Sequence, residues 1–316
     1  MAVFVEDWAV THGSPYLVET DEGDGAAELV EDGAALRKHR GRVNAGEARP
    51  LAFVDGVRRV EAYLWREEAG TRARGVVGAH AAGAAVIREG QRATFERVRS
   101  DRVLVWGGGL RQPLSPPAPR WRTLSIADDD PVALVGALQE RMRVAEAEIA
   151  EGLSSAGFLA IQDGSLSRVR DPDEPIVGYV KTHHRMLLAP EHHAHVGELD
   201  AGERTSLFAI AAGAARSRTV YSAYVRLTPR GPMASAWAGI VRIEIPQVVG
   251  LVEARRLADH VTFVLPRFAG VPHVDPRAPQ NLQPIGALES HLRHLLGDPG
   301  LATRAVRDTV GKSHEA

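Results

Sequence analysis

The sequence predicts a mixed α/β fold built around one sheet, and three observations carry that expectation. Strand-like segments follow one another from Pro50 onward, a long amphipathic helical pattern begins at Pro131, and strand pairs then alternate with helices. The connections in the second half are only a few residues long, which argues against two independent domains.

Residues 1–48 differ from the rest. Asp21, Glu22, Asp24, Glu28, Glu31 and Asp32 sit among Gly and Ala before a basic switch at Arg37, Lys38, Arg40 and Arg42. The pattern reads as an acidic arm or peripheral helix with a basic end, a solvated segment or one that docks a partner. From Pro50, LAFVD is a short apolar run stopped by Asp-Gly, VRRVEAYLW reads as a second strand and GVVGAHAAGAAVI as a third, together an antiparallel meander. GGGLRQPLSPPAP, residues 107–119, is a long Gly/Pro loop dividing the chain; it lacks the Lys-Ser/Thr of a phosphate-cradling loop.

Asp128, Asp129 and Asp130 precede Pro131, a helix-starting arrangement, so PVALVGALQERMRVAEAEIAEGL is expected to be a long helix. FLAIQ follows as a buried strand ended by Asp163-Gly164, then IVGYVK as another. A helix is expected near Glu203 to Arg218, strands at YSAYVRL and SAWAGIVRIEIP, and helices at Leu251 to Val264 and Ile285 to Leu296.

The chain has 316 residues, 44% of them hydrophobic, enough for a sizeable core. With Lys+Arg 38, Asp+Glu 40 and a net charge of −2, it is no general basic coat for nucleic acid, so any such site is a local patch. Zero cysteines exclude disulfides, thiolate nucleophiles and Cys-ligated metals, leaving His and carboxylate as the strong ligands, and fit a reducing cytoplasm. The start carries Glu6 and Asp7 and does not read as a signal peptide, and the best apolar stretch, Val76 to Ile87, is short and holds His80; a soluble, cytoplasmic protein without membrane contact is expected.

Two Asp-Gly corners stand out. Each is foremost a turn signal, but each also places a carboxylate at the end of an apolar strand with room for a ligand. If the strands lie side by side, Asp55 and Asp163 meet at one edge, and two such carboxylates are costly without a divalent cation. Glu146 is in register with Met142, Ile149, Ala150 and Leu153, so it faces the core, whereas Glu148 and Glu151 read as surface charges. Glu146 is then either paired with Arg141 or Arg143 or bound to metal. His291 lies beside the stripe of Leu288, Leu292 and Leu295, as a packed residue or a ligand. His183, His184, His192, His193 and His195 crowd a loop around Pro190 without HExxH spacing, either a surface loop or a zinc site. A G-x-S-x-G elbow is absent.

VAEAEIAEGLSSAGFLAIQDGSL resembles the helix-then-strand signature of the NurA nucleases, in which a helical Glu precedes a strand ending Asp-Gly-Ser-Leu. LAFVDG is similar to their first catalytic strand, IVGYVK to their Gly-x-x-Lys strand, and QPIGALESHLRHL to their C-terminal His helix, in the family's order across roughly residues 50 to 300. Gln162 and Gln283 depart from the pattern without removing a ligand. The resemblance implies a NurA-like domain (49–300) with a ribonuclease H-like, PIWI-like mixed sheet flanked by helices; the acidic arm (1–48), which the family pattern does not explain, precedes it and a C-terminal tail (301–316) follows.

It further implies a Mn²⁺- or Mg²⁺-dependent deoxyribonuclease, single-strand endonuclease and 5′-to-3′ exonuclease, that forms a homodimer and works with a HerA-like hexameric ATPase in end resection at double-strand breaks. Carried over by position, Asp55, Glu146, Asp163 and His291 are the metal ligands and Lys181 a phosphate contact. Arg168, Arg170 and Arg185 stand nearby in sequence, as backbone contacts or ordinary surface charge. Two rivals are a catalytically degenerate module of the same fold that guides DNA to a ring ATPase, and a zinc hydrolase using the His-rich loop. The near-zero net charge predicts modest affinity for DNA by this chain alone, and so a partner that delivers the strand.

Overall fold

The computed structural model describes residues 2–5, 27–33, 35–44, 46, 48–68, 71–111, 113–114, 121–169, 175–181, 187–211 and 219–315. In chain order its strands are β1 (Ala2–Val5), β2 (Ala27–Leu29), β3 (Lys38–Arg40), β4 (Leu51–Glu68), β5 (Thr71–Ile87), β6 (Thr94–Trp106), β7 (Arg122–Ser125), β8 (Leu159–Asp163), β9 (Ile176–Val180), β10 (Glu203–Thr205), β11 (Phe208–Ile210), β12 (Val220–Arg226) and β13 (Ile240–Pro246). The helices are α1 (Pro131–Ser154), between β7 and β8, α2 (Pro190–Gly197), α3 (Leu251–Val264), α4 (Gln283–Leu295) and α5 (Pro299–Glu315). Among the described residues no helix is long and apolar enough to cross a membrane.

The strands form one large mixed sheet flanked by helices, ordered β2-β11-β12-β13-β9-β8-β4-β5-β6-β7, with β1 on β4 and β3 on β10. β4, β5 and β6 form an antiparallel meander, built from other segments than the three expected, and the α1 crossover returns the chain as β8, parallel to β4, with β9 parallel to β8. Side chains alternate across the pleat. Phe53, Val57, Ile161 and Tyr179 therefore pack under α3 and α4 with Leu257, Val261, Ile285, Leu288 and Leu292. Val54, Ala82, Ala84 and Ala160 point the other way and meet Ala145, Ile149, Ala150 and Leu153 of α1. α1 starts where expected: the Asp130 carboxylate accepts from the Val132 N–H at 2.7 Å ahead of Pro131.

Several expectations are corrected. LAFVD and VRRVEAYLW are one 18-residue strand, so Asp55-Gly56 lies inside β4 and makes no turn. The helix expected near 203–218 is instead two short strands, β10 and β11, while residues 212–218 lie outside the described residues. His192, His193 and His195 sit on α2, not in a loop.

At the N-terminal end, β2 and β3 add to the sheet edge against β11 and β10. Glu31 is not a solvated charge. Its carboxylate accepts from both terminal nitrogens of the buried Arg204, at 2.6 and 2.9 Å, and from the Leu207 N–H at 2.7 Å, while Asp259 of α3 takes the Arg204 Nε at 2.8 Å. Val306 and Val310 of α5 are buried against Leu64, Val77, Leu104 and Trp106, so the described part of residues 301–316 is a packed helix. On the far side of the sheet the buried Arg226 donates to four peptide carbonyls, those of Leu199, Ala238, Gly197 and Ala236, and ties the 231–239 segment to the end of α2.

Candidate metal centre

The site forms where two parallel strands stop and their neighbour continues. β8 pairs with Leu51–Val54 of β4 and ends at Asp163, where Gly164 takes a φ of +91° that favours glycine and turns the chain away. β9 ends at Val180, but β4 runs on, leaving a notch in the sheet. A cavity of about 590 Å³ opens there and reaches both faces, from Glu289, Arg277 and Arg293 on one side to Glu146, Met142 and Arg143 on the other.

Asp55 lies between Phe53 and Val57 on the α4 side of β4, and Asp163 follows Ile161 on the same side of β8. Both meet Glu289 of α4: one carboxylate oxygen from each of the three lies within 4.8 Å of the others. Lys181, just past β9, places Nζ 2.5 Å from Asp163 Oδ2 and donates to Asn281 Oδ1 at 3.0 Å. Arg277 grips Glu289 with two bonds of 2.9 Å, and Arg293, one turn further along α4, adds a third of 2.9 Å. The Tyr179 hydroxyl donates to the Gln280 carbonyl at 2.6 Å.

These neighbours set the charge states. Burial, reinforced by the Asp163 charge, pushes Asp55 well above the usual carboxylate range, against the weaker pull of Lys181 and the Gly56 N–H. Burial also pushes on Glu289, but the hydrogen bonds and charge of Arg277 outweigh it and hold that carboxyl below its ordinary value. Burial alone would depress Lys181, yet Asp163 and Asp55 outweigh it and raise the ammonium. Burial and then Asp163 raise the Tyr179 phenol well above its usual range.

An all-oxygen donor set suits a hard divalent cation such as Mn²⁺ or Mg²⁺. The oxygen spacing is compatible with one, since ligands across a Mg²⁺ ion stand about 4.2 Å apart at bonds of about 2.1 Å. An ion there would also relieve the repulsion that raises Asp55.

Of the residues singled out from sequence, Asp55 and Asp163 come together. Glu146 lines the same cavity from the opposite face: it is buried on α1, and a Cβ at Gly56 would overlap its Oε1 and stand 2.7 Å from Met142 Cγ. The glycine in β4 thus gives space to the glutamate rather than freedom to turn. Glu148 points to the surface and pairs with Arg99 at 2.7 Å.

His291 does not join the carboxylates; its ring stacks on Phe95 with centroids 4.6 Å apart. Two residues along a helix is about 200° of rotation, so Glu289 and His291 cannot face the same cavity. Sequence reasoning missed Glu289, although a signal was there: it is i+4 from Ile285 and i−3 from Leu292, both buried, the same register that picked out Glu146.

Arg168 lines the cavity and pairs with Glu140 at 2.6 Å, while Arg170, Arg185, His183 and His184 lie outside the described residues. His193 bonds the Leu188 carbonyl at 2.9 Å and sets its ring against Trp237. Among the described residues the metal-capable groupings are the Asp55 trio and Glu31, Asp32 and His39, not the α2 histidines. In the second grouping Glu31 is engaged by Arg204, and the Asp32 carboxylate accepts from the Ser206 hydroxyl at 2.6 Å and lies 2.8 Å from His39 Nε2.

No protein-family model matches the chain, and no curated protein matches it in sequence. Among solved structures, it is similar to the crystal structure of the NurA nuclease from Sulfolobus solfataricus, with a TM-score of 0.46 and 11% identity over 88% of each chain.

Proposed function

We propose that this chain is a metal-dependent nuclease that hydrolyses phosphodiester bonds in DNA. The observation that carries the proposal is the convergence of Asp55, Asp163 and Glu289 in a cavity that arginines also line. In this reading the three carboxylates hold Mn²⁺ or Mg²⁺, with Glu146 reaching the cavity across Gly56 and His291 outside the ligand set. A bound ion supplies Lewis acidity to the phosphate and a more acidic water. Lys181 orients Asp163 and offers positive charge to a phosphate oxygen, and Arg58, Arg143, Arg168 and Arg293 lie along the cavity where a polynucleotide backbone would run.

The sheet order β6-β5-β4-β8-β9, a three-stranded meander followed by a helix and two parallel strands, supports a ribonuclease H-like core. On the resemblance of its sequence motifs the proposal extends to single-strand and 5′-to-3′ cleavage in end resection, a homodimer and a HerA-like ATPase partner, and on the absence of cysteine to a cytoplasmic setting. The domain limits of 49 and 300 belong to the same proposal. One observation favours a second reading, a degenerate module that only guides DNA: the Lys181 ammonium already sits against Asp163.

Replacing Asp55 or Asp163 by Ala and assaying single-stranded DNA cleavage with Mn²⁺ and with chelator decides between them. The expected result is cleavage by the parent that chelator stops and either substitution abolishes. Metal-dependent cleavage unchanged in both variants overturns the site, and a parent that neither binds Mn²⁺ nor cleaves supports the degenerate module.

A further inference from the structure

Two arms of the site meet in one residue that, in the nuclease reading, touches neither metal nor substrate. The loop ahead of α4 carries Asp275, whose Oδ2 accepts from Asn281 Nδ2 at 2.6 Å and from Arg277 Nη2 at 3.1 Å, while its Oδ1 accepts from the Arg277 N–H at 2.8 Å and from Nε at 3.2 Å. Arg277 is the residue that clamps Glu289, and Asn281, which is fully buried, is the residue that receives Lys181. From Asp275, then, one path runs through Arg277 to Glu289 and another through Asn281 and Lys181 to Asp163.

The chemistry of the second path fixes its direction. A carboxylate only accepts and an ammonium only donates, so an amide between them has one orientation that satisfies both: NH₂ toward Asp275 and carbonyl oxygen toward Lys181. Asn281 has that orientation. On the first path the carboxylate fixes the guanidinium plane from behind, leaving two parallel N–H groups for the two oxygens of Glu289.

We infer that Asp275 is a positioning residue for the metal centre, setting the placement of Glu289 through Arg277 and of Asp163 through Asn281 and Lys181. The inference rests on the nuclease reading. Partners one layer outside the ligands hold ligand orientation, and their loss typically costs about 10–100-fold in metal affinity.

The test is Mn²⁺ titration by calorimetry on the full chain, with thermal melting of each variant and kcat and KM for single-stranded DNA. Asp275→Asn, nearly isosteric, is expected to weaken Mn²⁺ binding about 10–100-fold and to lower kcat more than it changes KM. Asn281→Asp alone sets two carboxylates face to face and is expected to weaken binding as well. The double variant D275N/N281D reverses the polarity of the pair and again gives Lys181 an acceptor, so it is expected to recover to within about threefold of the parent. A purely structural role would lower melting temperature without moving the Mn²⁺ affinity of the folded protein. Parent-like Mn²⁺ binding by folded D275N overturns the inference, as does a folded double variant that binds as weakly as D275N. If D275N does not fold, the double variant compared with N281D decides the matter in the same way. A parent that binds no Mn²⁺ overturns the nuclease reading and this inference with it, whereas a metal-binding, DNA-cleaving parent whose D275N variant is unchanged overturns only this inference.

Discussion

Arg277 and Arg293 hold the Glu289 carboxylate with three bonds, so substitution there can separate the placement of the group from its charge. In the proposed nuclease reading, Glu289→Gln keeps the shape but removes the charge that a cation needs, so Mn²⁺-dependent cleavage should fall by at least the ~100-fold that marks loss of a well-placed partner. His291→Ala removes only a stacked ring, and should cost about 0.5–1.5 kcal/mol of stability. Its cleavage rate should stay close to that of the parent. Parallel rate measurements check the pair, and equal losses would return His291 to the ligand set. At this scale much was legible: Asp55 and Asp163 were found because apolar runs ended in Asp-Gly, and Glu289 was within reach of the helical register that found Glu146. Arg277 and Asn281 were not, because they lie in a loop, where no periodicity says which way a side chain points. Asn281 meets its partner Lys181 across 100 residues of chain.

Among the elements, α1, α3 and α4 follow from their apolar periodicity and β8 and β9 from their apolar runs, but β4 does not. An internal Asp-Gly has the local signature of a turn, but β5 pairs with β4 straight through it, and Gly56 makes room there for Glu146 and Met142 of α1. The expected helix at 203–218 failed for a related reason: β10 and β11 are held by pairing with β12, β2 and β3, contacts that no local window contains. Gly56 yields a prediction at this level. Gly56→Ala would place a methyl group on Glu146 Oε1 and Met142 Cγ, and should destabilise the protein by about 1–3 kcal/mol. Because part of the overlap is with one carboxylate oxygen, Glu146→Ala should recover part of that loss in the double variant, as read by denaturant unfolding. Strictly additive losses in the four-protein cycle would show that the two residues do not press on each other.

For the whole molecule, the join between the N-terminal strands and the rest of the sheet adds to its backbone ladders an ion pair whose partners are 173 residues apart. Sequence showed Glu31 only as one charge in an acidic run, since its burial comes from strands contributed by distant segments. Glu31→Ala leaves the buried Arg204 with Asp259 and the Thr205 carbonyl as its remaining partners and should cost about 3 kcal/mol in denaturant unfolding. The pH dependence has a definite sign. Burial pushes Glu31 upward, but Arg204 outweighs it and holds the folded-state pKa below the ordinary 4.5. The unfolded chain therefore takes up the proton first, and the contribution, full above about pH 4.5, is lost as pH falls through the folded value. Glu31→Gln should flatten the acid limb of the stability curve, and curves of equal slope would count against this assignment.

Arg226 behaves differently under the same stress. Its partners are four peptide carbonyls, which have no proton to gain in this range, so acid that releases Glu31 from Arg204 leaves the grip of Arg226 on residues 197–239 intact. The two arginines thus give the sheet an order of failure. Acidification is expected to weaken the Glu31 contact with Arg204 before it touches that of Arg226 on the neighbouring strand. Amide exchange of β2 and β3 against residues 231–239 as pH falls would check that order.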